Sequence, residues 1–347
     1  MWSSRACLLT SRSRTRITWT KSCEKRGITL TSTAAVSLLN SGPVAEKETR
    51  HVPVMVSEVL DSLSPGSGGI YVDATLGLGG HAEAMLTRYP GIKLVLGLDR
   101  DIETLERAKS RLSPFGEGVI RLIHSNFIHL HDILLSNRIG QVDGILMDLG
   151  ISTFHLENSG RGFSFSRDEP LDMRMDLSGA VTAADLVNKL PAERLTELIQ
   201  TYGEERWAKR IVKCICDRRK TAPILTSADL AKVVANAIPR KYHPRRIHAA
   251  TRTFQALRIA VNRELDDLEE ALNTFPSCLK PGGRLCIISF HSLEDRLVKT
   301  AFREDNRLKP LTKKPLVPGP EEIRINPRAR SAKLRVAQCI ELLAQPN

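Results

Sequence analysis

The segment Tyr71-Val72-Asp73-Ala74-Thr75-Leu76-Gly77-Leu78-Gly79-Gly80-His81 constrains this chain more than any other. An apolar run ends on an acid and passes straight into a glycine-dense turn. A second apolar run, Leu94-Val95-Leu96-Gly97-Leu98, then ends on Asp99. Strand, glycine loop, helix, strand and acid is the order in which α/β folds hold a nucleoside. Glycines let the backbone turn tightly beside the ligand, and a carboxylate after the second strand accepts both ribose hydroxyls. Gly77-x-Gly79-x-x-Ala82 alone also fits a dinucleotide fingerprint or a plain turn. Asp73 tips the balance: a carboxylate four residues before Gly77 opposes a pyrophosphate and suits a cationic ligand. S-adenosyl-L-methionine, with an ammonium, a sulfonium and no phosphate, fits better than NAD.

The elements that follow extend an open parallel sheet. A helix is predicted from about Asp101 to Leu112, a strand near Val119–His124, then a turn with Asn126 and Phe127. Val142-Asp143-Gly144-Ile145-Leu146-Met147-Asp148 is almost wholly apolar, as a strand buried on both faces must be. It delivers Asp148 to the carboxyl edge, where ligands of such sheets bind. The next strand, Arg284–Phe290, follows the turn Pro281-Gly282-Gly283. The intervening gap is too long for a loop. Helical periodicity over Ala183–Ala237 fills it with an inserted all-α subdomain, and Val261–Leu279 returns the chain to the sheet. Ala332–Leu343 reads as a last, antiparallel strand. The expected organisation is a leader at 1–44, a core in two parts at 45–165 and 246–347, and the insertion at 166–245.

Charge is uneven along the chain. Residues 1–44 hold seven Arg and Lys against Glu24 alone, a net +6 that is half of the chain's +12. Arg-rich, Ser-rich and acid-poor composition is that of a mitochondrial transit peptide, and the other reading is a disordered basic arm. Elsewhere Arg240–Arg246 forms one basic cluster, and Arg324, Arg328, Arg330, Lys333 and Arg335 form another. Arg206, Lys209, Arg210, Lys213, Arg218, Arg219 and Lys220 stripe one predicted helix, which a solvated face explains as well as RNA does. The two clusters favour a polyanion held through its phosphates. No apolar run approaches the roughly 20 residues that span a bilayer, so no membrane partner is expected. The seven cysteines are scattered without zinc-ligand spacing; a reducing compartment and no metal are expected.

Several blocks, in order over residues 51–340, together resemble the small-subunit rRNA cytosine-N4 methyltransferases of the RsmH/MraW type. They are His51-Val52-Pro53-Val54-Met55, Thr75–His81, Leu98-Asp99-Arg100-Asp101 and Met147-Asp148-Leu149-Gly150-Ile151-Ser152. Arg161-Gly162-Phe163-Ser164-Phe165, Pro170-Leu171-Asp172-Met173-Arg174-Met175-Asp176 and Thr201-Tyr202-Gly203-Glu204-Glu205 continue the series. Thr251–Arg258, Ile288–Arg296 and Asn326–Ser331 complete it. With its N-terminal segment the chain looks like a mitochondrial member, placed in the matrix. The resemblance implies a class I methyltransferase fold, Rossmann-like, with an inserted all-α subdomain, and S-adenosyl-L-methionine as donor. It implies donor contacts at Gly79, Gly80, His81, Asp99, Phe127 and Asp148. A further contact, usually Gln, falls on His155, whose imidazole lacks the paired pattern of an amide. The implied substrate is a cytidine in mitochondrial small-subunit rRNA, and the implied partner that rRNA or the assembling ribosomal subunit.

Cytosine N4 is a weak nucleophile because its lone pair is delocalised into the ring. An enzyme must align it with the methyl group and supply acceptors for its hydrogens. Asp148, the carbonyls of Leu149-Gly150, Asp172 and His291 are the candidates on the target side. The Asp/Asn-Pro-Pro-Tyr/Phe motif of other amino-group methyltransferases is missing, since Leu149-Gly150-Ile151 follows Asp148. Two structural readings stand beside these: Ser292-Leu-Glu-Asp295 is also a helix-capping pattern, and Asp172, Arg174 and Asp176 also suit an ion-pair network. A DNA or protein acceptor, or an assembly factor that no longer turns over, are the other functional readings.

Overall fold

The computed structural model describes residues 53–244 and 247–341, with the backbone of two short strands near the start, β1 (Cys7–Leu9) and β2 (Arg16–Thr18). These two pair antiparallel within a unit spanning residues 1–50. The expected leader at 1–44 otherwise lies outside the described residues, as do Arg245 and Arg246.

The second unit is built on seven strands: β3 (Ile70–Asp73), β4 (Leu94–Asp99), β5 (Ile120–His124), β6 (Val142–Asp148), β7 (Leu279–Ser289), β8 (Leu308–Pro310) and β9 (Lys333–Cys339). Their order is β5-β4-β3-β6-β7-β9-β8, parallel except that β9 runs antiparallel to both its neighbours. The chain starts in the middle, builds outward through β4 and β5, then returns to add β6 on the other side of β3. That reversal opens a crevice beyond the carboxyl ends of β3 and β6. Alternation along the strands fills both faces. Leu94, Leu96 and Leu98 of β4 join one apolar cluster with Phe127, Leu268 and Phe275, while Val95 joins the other with Met85 and Leu112.

Two elements differ from expectation. β7 begins at Leu279, so Pro281-Gly282-Gly283 lies inside the strand, where the ladder to β6 shifts register between Val142 and Gly144 and Gly282 takes φ +86°. A bulge absorbs the turn residues without ending the pairing. The returning helix is Glu264–Cys278, preceded by a separate helix Thr251–Asn262, and Arg263 at φ +52° breaks the two apart.

Helices Ala183–Lys189, Ala192–Gly203, Ala208–Thr221 and Ser227–Ala237 form the insertion. Their apolar cluster runs from Phe163 to Leu257 and so takes in the helix Thr251–Asn262, beyond the 166–245 expected. Gly203 permits that packing: a Cβ there would lie 2.7 Å from the Arg252 carbonyl oxygen.

The insertion is tied to the sheet by a buried charge cluster. Asp101, 1% exposed, caps the helix Ile102–Leu112. Arg161 Nη1 donates to its Oδ2 at 2.7 Å, and His155 Nε2 lies 2.7 Å from the same oxygen. The Arg161 guanidinium also donates to Glu103 (2.6 Å) and to the Met175 carbonyl (3.0 Å). Burial alone would raise the Asp101 carboxyl, but hydrogen bonds from His155 and Arg161 bring it down to about 2. Removing one member of a buried ionic cluster strands the other charge. Arg161→Ala is therefore expected to cost roughly 3–5 kcal/mol. Urea denaturation followed by circular dichroism measures this; a loss under about 1 kcal/mol would mean that the cluster contributes little.

Candidate active site

The glycine turn after β3 is tight: Gly77, Gly80 and His81 line the cleft, while the expected contact Gly79 does not. Gly77 and Gly79 take φ +54° and +77°, and a Cβ on Gly79 would lie 2.9 Å from Leu112. Gly80 starts the helix Gly80–Arg88 against Pro53. At the end of β4, Asp99 Oδ2 accepts from the Gly77 N–H and Oδ1 from the Asp101 N–H, each at 2.8 Å. These bonds aim the carboxylate into the cleft and leave each oxygen a further lone pair, as a ribose ligand requires. Burial pushes the Asp99 carboxyl above its usual range despite them. Phe127 reaches the cleft after β5, packed edge-on against Phe275 at 6.5 Å and capped by the Arg100 guanidinium at 5.7 Å.

Between the glycine turn and β6 the site is strongly anionic. Asp73 is 1% exposed, and its Oδ2 is buried without a hydrogen-bond partner among the described residues. Burial first, with the nearby charges of Asp148 and Asp99, pushes its carboxyl up to about 7, against the opposing effect of His81. His81 Nε2 lies 3.5 Å from Asp148 Oδ2, an ion-pair distance without hydrogen-bond geometry. Burial disfavours the imidazolium, yet Asp148 and Asp73 outweigh it and hold His81 above its ordinary value. Asp148 Oδ1 is likewise buried and unpartnered, while the Asp148 N–H donates to Thr75 Oγ1 at 2.6 Å. Unspent buried carboxylate oxygens call for a ligand with positive charge and N–H donors, and a pyrophosphate here would be repelled.

Of the other expected residues, His155 borders the cleft but both ring nitrogens are engaged. Nε2 faces Asp101, and Nδ1 meets the Ser152 N–H (3.3 Å) and hydroxyl (3.0 Å). Asp172 does not line the cleft. Arg174 holds it with two bonds of 2.7 Å, and its carbonyl accepts from the Ala183 N–H, so it braces the insertion. His291 does not line the cleft either. It is the residue that caps the helix Ser292–Glu304, in place of the expected Ser292, because its ring meets the Glu294 N–H (3.4 Å) and Glu294 Oε1 (3.2 Å). Asp295 pairs with Lys333 and Arg335 across β9.

The flanking residues Phe290 and Glu294 do line the cleft, with Glu264 and Arg328, and the sequence marks none of the four as a site residue. Phe290 stands over Gly150, where a Cβ would lie 3.5 Å from its ring. Glu264, His291 and Glu294 bring ligand-type atoms within 4.8 Å of one another, and Arg258 neutralises Glu264 with paired bonds. The second basic cluster is not a free surface. Arg328 bonds Thr153 and Glu157, Arg335 is 7% exposed, and Arg324 pairs with Glu321; Arg330 alone of the five is exposed and pairs with no acid among the described residues.

Sheet order, the glycine turn and the carboxylates gathered at the strand ends are those of a class I methyltransferase whose donor is S-adenosyl-L-methionine. The chain belongs to the MraW methylase family, whose model matches residues 48–340. It is 48% identical over 308 residues to a protein of Geobacter sp. named ribosomal RNA small subunit methyltransferase H, covering 84% of this chain and 98% of that one. It is 51% identical over 294 residues to a protein of the same name from Kosmotoga olearia, covering 84% and 97%.

Asp73 does not line the cleft as Ala74, Thr75 and Asp148 do, so its carboxyl is expected to link donor binding to pH through charge alone. An ammonium favours its ionised form, so donor affinity is expected to rise as pH climbs through about 7 and then level off. Asp73→Asn should bind more weakly and flatten that rise. Isothermal titration across the range decides it, and an unchanged profile in the variant would assign the titration to another group.

Proposed function

We propose that the protein methylates the exocyclic N4 amine of a cytidine in mitochondrial small-subunit rRNA, in the matrix, and so supports assembly of that ribosomal subunit. The observation carrying this reading is the unpartnered, buried Asp148 Oδ1 at the cleft, beside the Leu149-Gly150 backbone and the Phe290 ring. The names of the bacterial relatives support the rRNA substrate, and the acid-poor residues 1–44 support the compartment. S-adenosyl-L-methionine, when bound, supplies an electrophilic methyl group on a sulfonium.

The protein's own residues do the rest. Phe290 offers a face for an extruded base, since a base kept inside a duplex cannot reach a recessed cleft. Asp148 accepts an N–H of the amine, which raises electron density on nitrogen and orients its lone pair. The same carboxylate receives the proton that leaves once the N–C bond has formed. His81, 3.5 Å from Asp148 Oδ2, offsets part of the carboxylate charge beside the acceptor. Asp99, Asp73 and the glycine turn hold the donor.

Mass spectrometry of nucleosides from mitochondrial small-subunit rRNA tests the chemistry. N4-methylcytidine is expected to vanish when the protein is removed, to return with the wild type, and to stay missing with Asp148→Asn. Turnover of that variant should fall on the order of 100-fold. A different methylated nucleoside responding instead would reassign the acceptor. For the compartment, residues 1–44 fused to a fluorescent protein are expected to direct it to mitochondria; diffuse cytosolic signal would remove that part of the proposal.

A further inference from the structure

The seven basic residues striping the helix Ala208–Thr221 and its approach divide into two groups. The last three are engaged. Arg218 bonds Asp229 (2.8 Å), Arg219 bonds the Val187 and Leu190 carbonyls, and Lys220 bonds Asp217 (2.9 Å). Arg206, Lys209, Arg210 and Lys213 are exposed and bond no acid among the described residues. The helical spacing of Lys209, Arg210 and Lys213 puts these three on one side, opposite buried Ile211 and Ile215, and Arg206 lies in the turn just before them. Asp217, the acid that Lys213 feels, is already held by Lys220.

Beside these cations lies an aromatic pair. Trp207, half-buried, sits at the start of the helix, and Tyr242, 43% exposed, ends the turn Arg240–Tyr242. Their ring centroids are 5.2 Å apart at 40°. The Arg206 guanidinium lies 5.5 Å from the Tyr242 ring and 5.8 Å from Trp207, and Lys241 Nζ lies 5.0 Å from Tyr242. Arg240 and Lys241 are also exposed. Rings supply faces on which bases stack, and the surrounding cations supply phosphate contacts. An apolar protein partner would have to desolvate those cations, whereas a polyanion neutralises them.

The patch is also fixed relative to the cleft. Glu204, two residues before Arg206, accepts from Ser292 Oγ and from Arg296 Nη2 (3.1 Å) on the helix whose first turn holds cleft-lining Glu294. We propose that Trp207 and Tyr242, with Arg206, Lys209, Arg210 and Lys241 around them, form a stacking platform for an unpaired segment of RNA. This assignment rests on the reading of the protein as an rRNA methyltransferase. The platform makes the insertion select single-stranded over paired RNA, because paired bases present no free face and leave only phosphates to grip.

The test uses fluorescence anisotropy with the full chain, an unstructured oligoribonucleotide of about twelve nucleotides, and a duplex of equal length. Tyr242→Ala is expected to weaken single-strand binding about tenfold, with duplex binding and donor affinity within about twofold of wild type. Tyr242→Trp should retain single-strand binding, and Tyr242→Leu should not. That pair separates stacking from loss of bulk should the alanine variant melt early. Arg206→Ala with Lys241→Ala should weaken both RNAs and lower the salt dependence of binding. Single-strand affinity unchanged in Tyr242→Ala and Tyr242→Leu, or an equal loss for both RNAs, overturns the platform. If the platform fails these tests while the wild type still methylates rRNA, the functional reading stands. If it passes and rRNA methylation does not depend on the protein, the functional reading falls alone.

Discussion

The contact between Arg161 and Asp101 sets the geometry on which the site depends. Asp101 begins the helix after β4 and shares a backbone turn with Asp99, so anchoring it also orients the Asp99 carboxylate. Arg161 lies at the entrance to the insertion, and its reach to Glu103 and the Met175 carbonyl draws two distant stretches of chain against that turn. Asn262 completes the tie from the far side, accepting from the Met175 N–H and donating to the Met173 carbonyl. A buried guanidinium is costly unless each of its donors is used, and here carboxylates and carbonyls use them. Such a cluster has few alternative arrangements, which suits an insertion that must hold one position over the cleft.

The second constraint is the concentration of negative charge at the carboxyl edge. Asp73 and Asp148 end neighbouring parallel strands, with Asp99 on the next, and the sheet brings them together. Repulsion and burial together raise Asp73 and Asp99 above the ordinary carboxylate range. His81 offsets part of that charge. A cationic donor offsets more, so the same arrangement that strains the free protein favours the ligand. This distinguishes the crevice from a dinucleotide site of similar topology, where the glycine turn and helix N-terminus face phosphates.

Much of this was legible in sequence because it follows local rules. Buried parallel strands read as continuous apolar runs, positive-φ turns read as glycine, and both placed Asp73, Asp99 and Asp148 at the right edge. Several expected residues spend their side chains on nearby partners. Asp172 and His291 sit in motif-like blocks, yet their side chains serve a neighbouring Arg174 and a helix N-terminus. His155 borders the cleft while its ring turns to Asp101. The cluster Arg324–Arg335 looked like a polyanion surface, yet Glu157, Asp295 and Glu321 engage most of it.

Sequence alone therefore determined the run of parallel strands, the glycine turn, the donor's charge and the family, since each depends on residues close in the chain or on an ordered series of blocks. Only the tertiary structure decided which charges remain unspent. Arg206, Lys209 and Arg210 differ from Arg218 and Arg219 in no property of composition; they differ in whether folding brings an acceptor within reach. The same holds for Phe290 and Glu294, whose place at the cleft depends on β7 lying beside β6, some 130 residues earlier in the chain. A partner separated by that much sequence leaves no local pattern, because the pairing is specified by the whole sheet.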